Sequence, residues 1–265
     1  MDSEEDRAAL QEDINNLLVW TDKWQMEFNR GKCKVLHVGR GNPQFSYTMG
    51  GYAPAGQVLD TTKEEKDVGV IIHESLKPSA NCAKRVKKGN QVLGQMARAF
   101  SYRDKYTWLR LYKQYVRPHL ESCVQAWSPW SQADKELLEA VQKRAVRMVS
   151  GLVARSYEDR LREVGLTTLV DRRVRGDMIE VWKILHGNED VNPGTFFTMA
   201  AQESTRVTRL SSHPLNIAMP MARLDIRRNF FSLRWVEKWN SLPDDVKSAP
   251  SLNTFKNRFD SLFFN

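Results

Sequence analysis

Apolar and polar positions alternate with helical phase over most of the chain, and with strand phase only near its start. Leu10, Ile14, Leu17, Leu18, Trp20, Trp24 and Phe28 recur at spacings of three and four, which predicts an amphipathic helix from about Ala8 to Phe28. Arg30-Gly31 ends it, and Lys34 to Val38 reads as a short strand. Residues 39 to 64 are rich in turn formers (Gly39, Gly41, Pro43, Gly51, Pro54), with Tyr47–Met49 and Gln57–Leu59 as further short strands. The run from Val68 through Gly69 to Ile72 is the clearest strand, closed by Lys77-Pro78. Beyond Pro78 the period becomes helical. The pattern predicts helices over about Ser79–Phe100, Lys105–Trp127, Gln132–Ser150, Ser156–Val164 and Thr168–Leu185. Within the third of these Asp134 is the expected cap, and Leu137, Leu138, Val141, Ala145 and Val149 are expected to face inward. Residues 187 to 222, with Pro193, Pro214 and Pro220, read as an irregular linker. Helices over about Ile226–Ser241 and Leu252–Phe263 complete the chain.

The predicted class is therefore α+β, mainly α: a small α/β segment followed by a helical body. The division expected is 1–78 for the α/β segment, 79–130 for basic helices, 131–186 for a helical extension, 187–222 for the linker and 223–265 for the last helices. One helix and two or three short strands have little stability alone, so the first segment reads as the remainder of a larger domain.

Charge sharpens this picture. The 265 residues carry a net charge of +8, but the first 83 hold nine basic and thirteen acidic side chains. From Lys84 to Arg117 there are ten Lys or Arg and one acidic residue, Asp104. Lys84, Lys87 and Lys88 share a helical face beside Arg85, and Arg110, Lys113 and Arg117 repeat the arrangement. A folded cationic face of this kind suits a polyanion, because neutralising phosphates releases condensed counterions. An ordinary solvated face, the competing reading, usually mixes both signs. Arg172, Arg173 and Arg175 form another cluster, with Asp171, Asp177 and Glu180 near enough in sequence to pair with them.

Other chemistry is sparse. Cys33, Cys82 and Cys123 show no metal-ligand spacing and read as free thiols, which implies a reducing, nuclear or cytoplasmic compartment. The five histidines are dispersed, and no stretch is apolar enough to span a membrane. Gly39-Arg-Gly41 and Gly50-Gly51 are turns, not phosphate loops. Among the tryptophans, Trp20, Trp24, Trp182 and Trp239 lie in apolar stripes and read as core; Trp127 and Trp130 sit at a turn between helices.

Several blocks together resemble a known family. They are the stretch from Leu10 to Asn29 followed by Gly31-Lys32-Cys33-Lys34-Val35, then Asp67 to Val70, Tyr115 to Glu121, Leu138 to Ala145, Arg172 to Glu180, and Trp239 to Pro243. In this combination the chain resembles, over almost its whole length, the reverse transcriptases of jockey-type non-LTR retrotransposons, in particular the chicken-repeat group of LINE elements. The resemblance implies an end-of-palm segment whose Lys32 matches the motif D lysine. It makes Val68 and Gly69 part of a primer-grip-like hairpin, and the helices from Lys84 onward a thumb that follows a template–primer duplex by its phosphates. Partners would be RNA, DNA or their hybrid, bound independently of sequence, with an upstream polymerase polypeptide as a further one and no membrane.

Polymerases of this family hold Mg²⁺ with an Asp-Asp hairpin, and the sequence contains none. Its single Asp-Asp pair, Asp244-Asp245, follows Leu242-Pro243 in a polar turn and reads as a helix start. The chain begins just downstream of where the hairpin would lie. The expectation is a fragment with no cofactor of its own, inactive as an RNA-directed DNA polymerase by itself. The alternatives are a helical protein-interaction scaffold and an inert relic.

Overall fold

The protein is α+β and mainly α. The computed structural model describes residues 3–39, 41–50, 56–203 and 213–264; Gly51 and Pro54, read as turn formers, lie outside them. The chain divides into two compact units, one running to Ala80 and the other from Asn81.

In the first unit α1 spans Glu4–Lys23. Ser3 caps it, its hydroxyl accepting from the Asp6 N–H at 3.1 Å, and three acidic residues occupy the first turn, where the helix dipole favours them. The predicted helix ran on to Phe28, but Gln25 takes a left-handed backbone (φ 53°) and ends it. Six short strands follow: β1 (Lys34–Leu36), β2 (Thr48–Met49), β3 (Gln57–Val58), β4 (Asp60–Thr62), β5 (Glu64–Asp67) and β6 (Val70–His73). They form three separate pairs: β1 with β4 in parallel, and β2 with β3 and β5 with β6 antiparallel. The Gln11 amide ties α1 to β2, donating to Thr48 O at 2.8 Å and accepting from Thr48 N at 2.9 Å. Trp20 and Trp24, expected in the core, are 50% and 60% exposed. Three two-stranded pairs offer no continuous sheet face for the α1 stripe to cover.

The Val68-Gly69 segment also differs from expectation. Asp67 pairs with Val70, so Val68 and Gly69 are the two-residue turn of the β5–β6 hairpin, not part of a strand. Both have positive φ, 41° and 87°, as a primed hairpin turn requires. Glycine adopts this freely, whereas a β-branched valine there is strained.

The second unit begins with α2 (Ser79–Ala99), which packs through Cys82, Gly89, Leu93 and Met96. The predicted continuous helix over Lys105–Trp127 is four pieces. These are α3 (Lys105–Leu111), a π-helical turn (Tyr112–Val116), α4 (Arg117–Glu121) and α5 (Val124–Trp127). Pro118 explains the first break. It has no N–H, and its ring would meet the carbonyl of residue 114 in a regular helix, so the preceding turn widens. The second break is at Cys123, whose left-handed φ of 57° reverses the chain.

Helices α6 (Gln132–Arg147), α7 (Tyr157–Val164) and α8 (Leu169–Leu185) each start on a Ser/Thr-x-x-Asp box at Ser131, Ser156 and Thr168. In each the hydroxyl accepts the third N–H at 3.1 Å and donates to the aspartate at 2.7 Å. The cap of α6 is thus Ser131, and Asp134 is its third-position partner. Leu137 is 42% exposed, whereas Leu138, Val141, Ala145 and Val149 face inward as expected.

Buried polar side chains join these helices. Gln142 accepts from Tyr112 OH at 2.9 Å and donates to Tyr157 OH and Thr167 O, each at 3.0 Å. Tyr157 OH also donates to Glu139, whose other oxygen accepts the Leu169 N–H at 2.9 Å.

The remaining elements are α9 (Ala200–Glu203), α10 (Asp225–Arg228), α11 (Phe231–Arg234), α12 (Val236–Asn240), α13 (Asp244–Lys247) and α14 (Leu252–Phe263). The expected linker is structured where it is described. Phe197 and Ile217 are buried in a cluster with Trp182, Trp239, Phe255 and Phe259, and Met199 bridges Ile217. Asn240 holds Ile217 by both backbone groups, at 2.7 and 2.9 Å. Asp244 and Asp245 open the short α13, where Asp244 pairs with Lys247 at 3.1 Å.

Candidate nucleic-acid interface

Because Cys82, Gly89, Leu93 and Met96 turn inward, Lys84, Lys87 and Lys88 project from the opposite side of α2 and are exposed. None of the three makes an ion pair or hydrogen bond among the described residues. Arg85 is different. Its guanidinium lies 4.6 Å from the Trp127 ring centroid and donates to His119 O at 3.3 Å, while its Nε is buried without a hydrogen-bond partner. Burial lowers its pKa, and it acts as a strut from α2 to His119 of α4 and Trp127 of α5. His119 stands near Lys88 and Arg85; burial first, then these two charges, push its pKa down.

Arg110 on α3 and Lys113 in the π-helical turn after it are exposed and have no carboxylate partner among the described residues. Arg117, one turn further, is drawn away. It pairs with Glu121 at 3.6 Å, and Glu121 in turn takes both nitrogens of a fork from Arg172 at 2.5 and 3.0 Å. Arg117 is half-buried, and burial lowers its pKa. The seven cations singled out in the sequence therefore split into five that are free at the surface and two, Arg85 and Arg117, that hold helices together.

Asp104 and Glu163, like Glu121, are committed to other groups. Asp104 caps α3 by accepting from Thr107 N at 2.9 Å, which holds its pKa down. Glu163 accepts from Lys105 at 3.1 Å and Arg155 at 3.2 Å. The second arginine cluster is internal as well; of the carboxylates near it in sequence, Asp177 stabilises Arg173 electrostatically, and the hydrogen-bonded partners are distant ones. Arg175 forks onto Asp260 at 2.6 and 2.8 Å, and Arg173 is buried. Asp177 is taken by Arg234.

The structure also contains surface features missed by sequence patterning. Tyr106 and Tyr115 are 84% and 56% exposed along the basic stretch, and Tyr102 is exposed as well. A cleft of about 460 Å³ opens beside α3, lined by Lys105, Tyr106, Leu109, Arg110, Lys113, Gln114 and Val164 of α7. The spacing 106, 109, 110, 113, 114 is a single helical face, a signal readable beforehand had Tyr106 been placed with the cations. The α2 lysines do not line this cleft.

The other predicted site residues lie in the first unit. Lys32 is exposed in a 3-10 turn over Arg30–Lys32, and Val68 is 90% exposed at its hairpin tip. All three cysteines are free thiols. Among the described residues no three His, Cys, Asp or Glu side chains gather into a metal-ligand group, and no helix is long and apolar enough to cross a membrane.

The class defined by fold and site is thus a mainly helical α+β protein with an unpaired cationic surface. No family model, no curated protein and no solved structure matches the chain.

Proposed function

We propose that this chain is a reverse-transcriptase-derived protein of the non-LTR retrotransposon type that binds RNA, DNA or their hybrid by the phosphate backbone. In this reading α2 to α4 form the thumb and the first unit is the end of a palm. The β5–β6 hairpin is then primer-grip-like, and Lys32 is the motif D lysine. The sequence lacks an Asp-Asp hairpin, so the activity proposed is binding, with no nucleotidyl transfer by this polypeptide alone.

One observation carries the reading: Lys84, Lys87, Lys88, Arg110 and Lys113 are exposed and without an ion-pair partner among the described residues, while Asp104, Glu163 and Glu121 are engaged with other groups. Five like charges left unpaired repel one another, a cost that a phosphate strand offsets. The test is a salt titration of binding to an RNA–DNA duplex. If all five meet phosphates, log K should fall against log salt with a slope of about −4. Replacing Lys84, Lys87 and Lys88 by Glu should remove most of the affinity and leave the circular dichroism unchanged. A flat salt response refutes phosphate gripping.

A second reading, a protein-interaction scaffold, is favoured by the apolar side of α1 and its end, where Leu17, Trp20 and Trp24 are 49% to 60% exposed. Capture of a partner that survives both nuclease and high salt would favour it over nucleic-acid binding.

A further inference from the structure

The cleft beside α3 has a composition that phosphate gripping alone does not require. A surface that only tracks a backbone needs cations, yet here the apolar side chains of Leu109 and Val164 line the cleft together with the Tyr106 ring and the cations Arg110 and Lys113. The Tyr106 ring is 84% exposed and makes no ring contact among the described residues, so one of the chain's large aromatic surfaces is left to solvent. Gln114 adds an amide that can both donate to and accept from a base edge. Lys105 also lines the cleft, its ammonium paired with Glu163 at 3.1 Å. The volume, about 460 Å³, falls among sites that hold a small organic ligand, roughly 300–1,000 Å³. The neighbouring π-helical turn widens the backbone where Lys113 and Gln114 leave it, a distortion frequent at functional sites.

We propose that this cleft holds an unpaired nucleotide of single-stranded RNA or DNA. Tyr106 stacks on the base, Leu109 and Val164 form the floor beneath it, and Arg110 and Lys113 pair with the flanking phosphates. A base inside a duplex has both faces covered by its neighbours and cannot use such a ring, so the cleft selects single strands, tails and frayed ends. Stacking of this kind tolerates any base, because every base has a π-face. The inference rests on the nucleic-acid reading above and adds a second mode to it: α2 grips phosphates of any form, and the α3 cleft takes bases that are free.

The test compares a short single-stranded oligothymidylate with a blunt RNA–DNA duplex, using the full chain and fluorescence anisotropy. Tyr106→Ala should weaken single-strand binding by roughly ten-fold or more and leave duplex affinity unchanged. Its salt slope should match wild type, because the ring carries no charge. Tyr106→Phe should behave as wild type. A 2-aminopurine placed in the single strand should be quenched by wild type and not by Tyr106→Ala. Equal affinity of wild type and Tyr106→Ala for the single strand, or an equal loss on both ligands, overturns the cleft assignment while leaving phosphate gripping in place. Failure of the wild-type protein to bind either ligand at low salt overturns both.

Discussion

Replacing Asp177 by Leu removes the charge at the most heavily used buried carboxylate of the second unit. The Asp177 side chain is fully buried; it accepts from Arg234 Nη2 at 2.9 and 3.0 Å, and from Trp235 Nε1 at 2.5 Å. Arg234 keeps only 10% of its side-chain surface and Arg173, which Asp177 also stabilises electrostatically, is 3% exposed. Loss of the carboxylate therefore leaves the buried Arg234 guanidinium without its counter-charge and strands an indole N–H, while Arg173 keeps the charges of Glu139 and Glu121. Breaking one side of a buried ion pair costs about 3–5 kcal/mol, a large share of the 5–15 kcal/mol typical of a folded domain. In a unit of this size each kcal/mol lowers the melting temperature by roughly 2–4 °C. Asp177→Leu should thus melt about 6–20 °C lower, read by circular dichroism and by urea midpoint. Asp177→Leu combined with Arg234→Met removes one stranded charge and should recover part of that loss. A single variant within 1 kcal/mol of wild type, or a double variant worse than the single, would refute this account of the pair.

Two further perturbations test the packing and the surface charges. A Cβ at Gly89 would lie 3.1 Å from Leu120 Cδ2 and 3.5 Å from Val141 Cγ1, whereas at Gly94 it meets nothing within 4 Å. Gly94→Ala should therefore stabilise α2 by up to about 1 kcal/mol and Gly89→Ala should not, its gain being cancelled or reversed by about 1–3 kcal/mol of overpacking; urea midpoints of the two variants decide it. Glu163 has its pKa lowered, chiefly by the hydrogen bond from Lys105 and then by the charges of Lys105 and Arg155. A lowered acid pKa contributes stability above the ordinary glutamate value, about 4.3, and loses it as pH falls through the folded value. The stability difference between wild type and Glu163→Gln should accordingly shrink over that acid window. Asp177, raised by burial, has the opposite sign and is common to both proteins.

How much of this was readable beforehand depends on the range of the interaction that decides each element. The start of α8 is set within four residues by Thr168 and Asp171, and the pattern placed it correctly. The helix over Ile226–Ser241 was not readable in this way. It breaks first at Asn229–Phe230 and again at Trp235, and at the second break Arg234 and Trp235 both reach Asp177, more than fifty positions away. Side chains of consecutive residues point about 100° apart on a helix, so a shared buried partner interrupts it. The same logic removed Arg85 from the free cations, since Trp127 is a tertiary neighbour, whereas Arg117 pairs with Glu121 four residues on, a local spacing the sequence does display. Trp20 and Trp24 failed differently: their stripe is amphipathic, but the short β pairs of the first unit leave it exposed.

The split among the basic residues also bears on why the charge is segregated at all. Of the ten cations from Lys84 to Arg117, four are engaged. Arg85 rests on Trp127, Arg103 donates to Ala97 O and Phe100 O, Lys105 meets Glu163, and Arg117 meets Glu121. A helix face selected only for solubility would place a carboxylate three or four residues from each remaining cation, which lowers its energy by about 0.2–0.5 kcal/mol per pair. Elsewhere the same chain does so: Arg162 meets Asp159, Lys183 meets Glu180 and Arg228 meets Asp225, each three residues apart. On α2 and α3 that local remedy is absent, so the chain forgoes stability there that it takes at other sites. In the reading proposed above, an anionic partner spanning several of these side chains would supply the missing counter-charge, and a phosphate backbone, whose own charges repeat at fixed intervals, is the partner proposed.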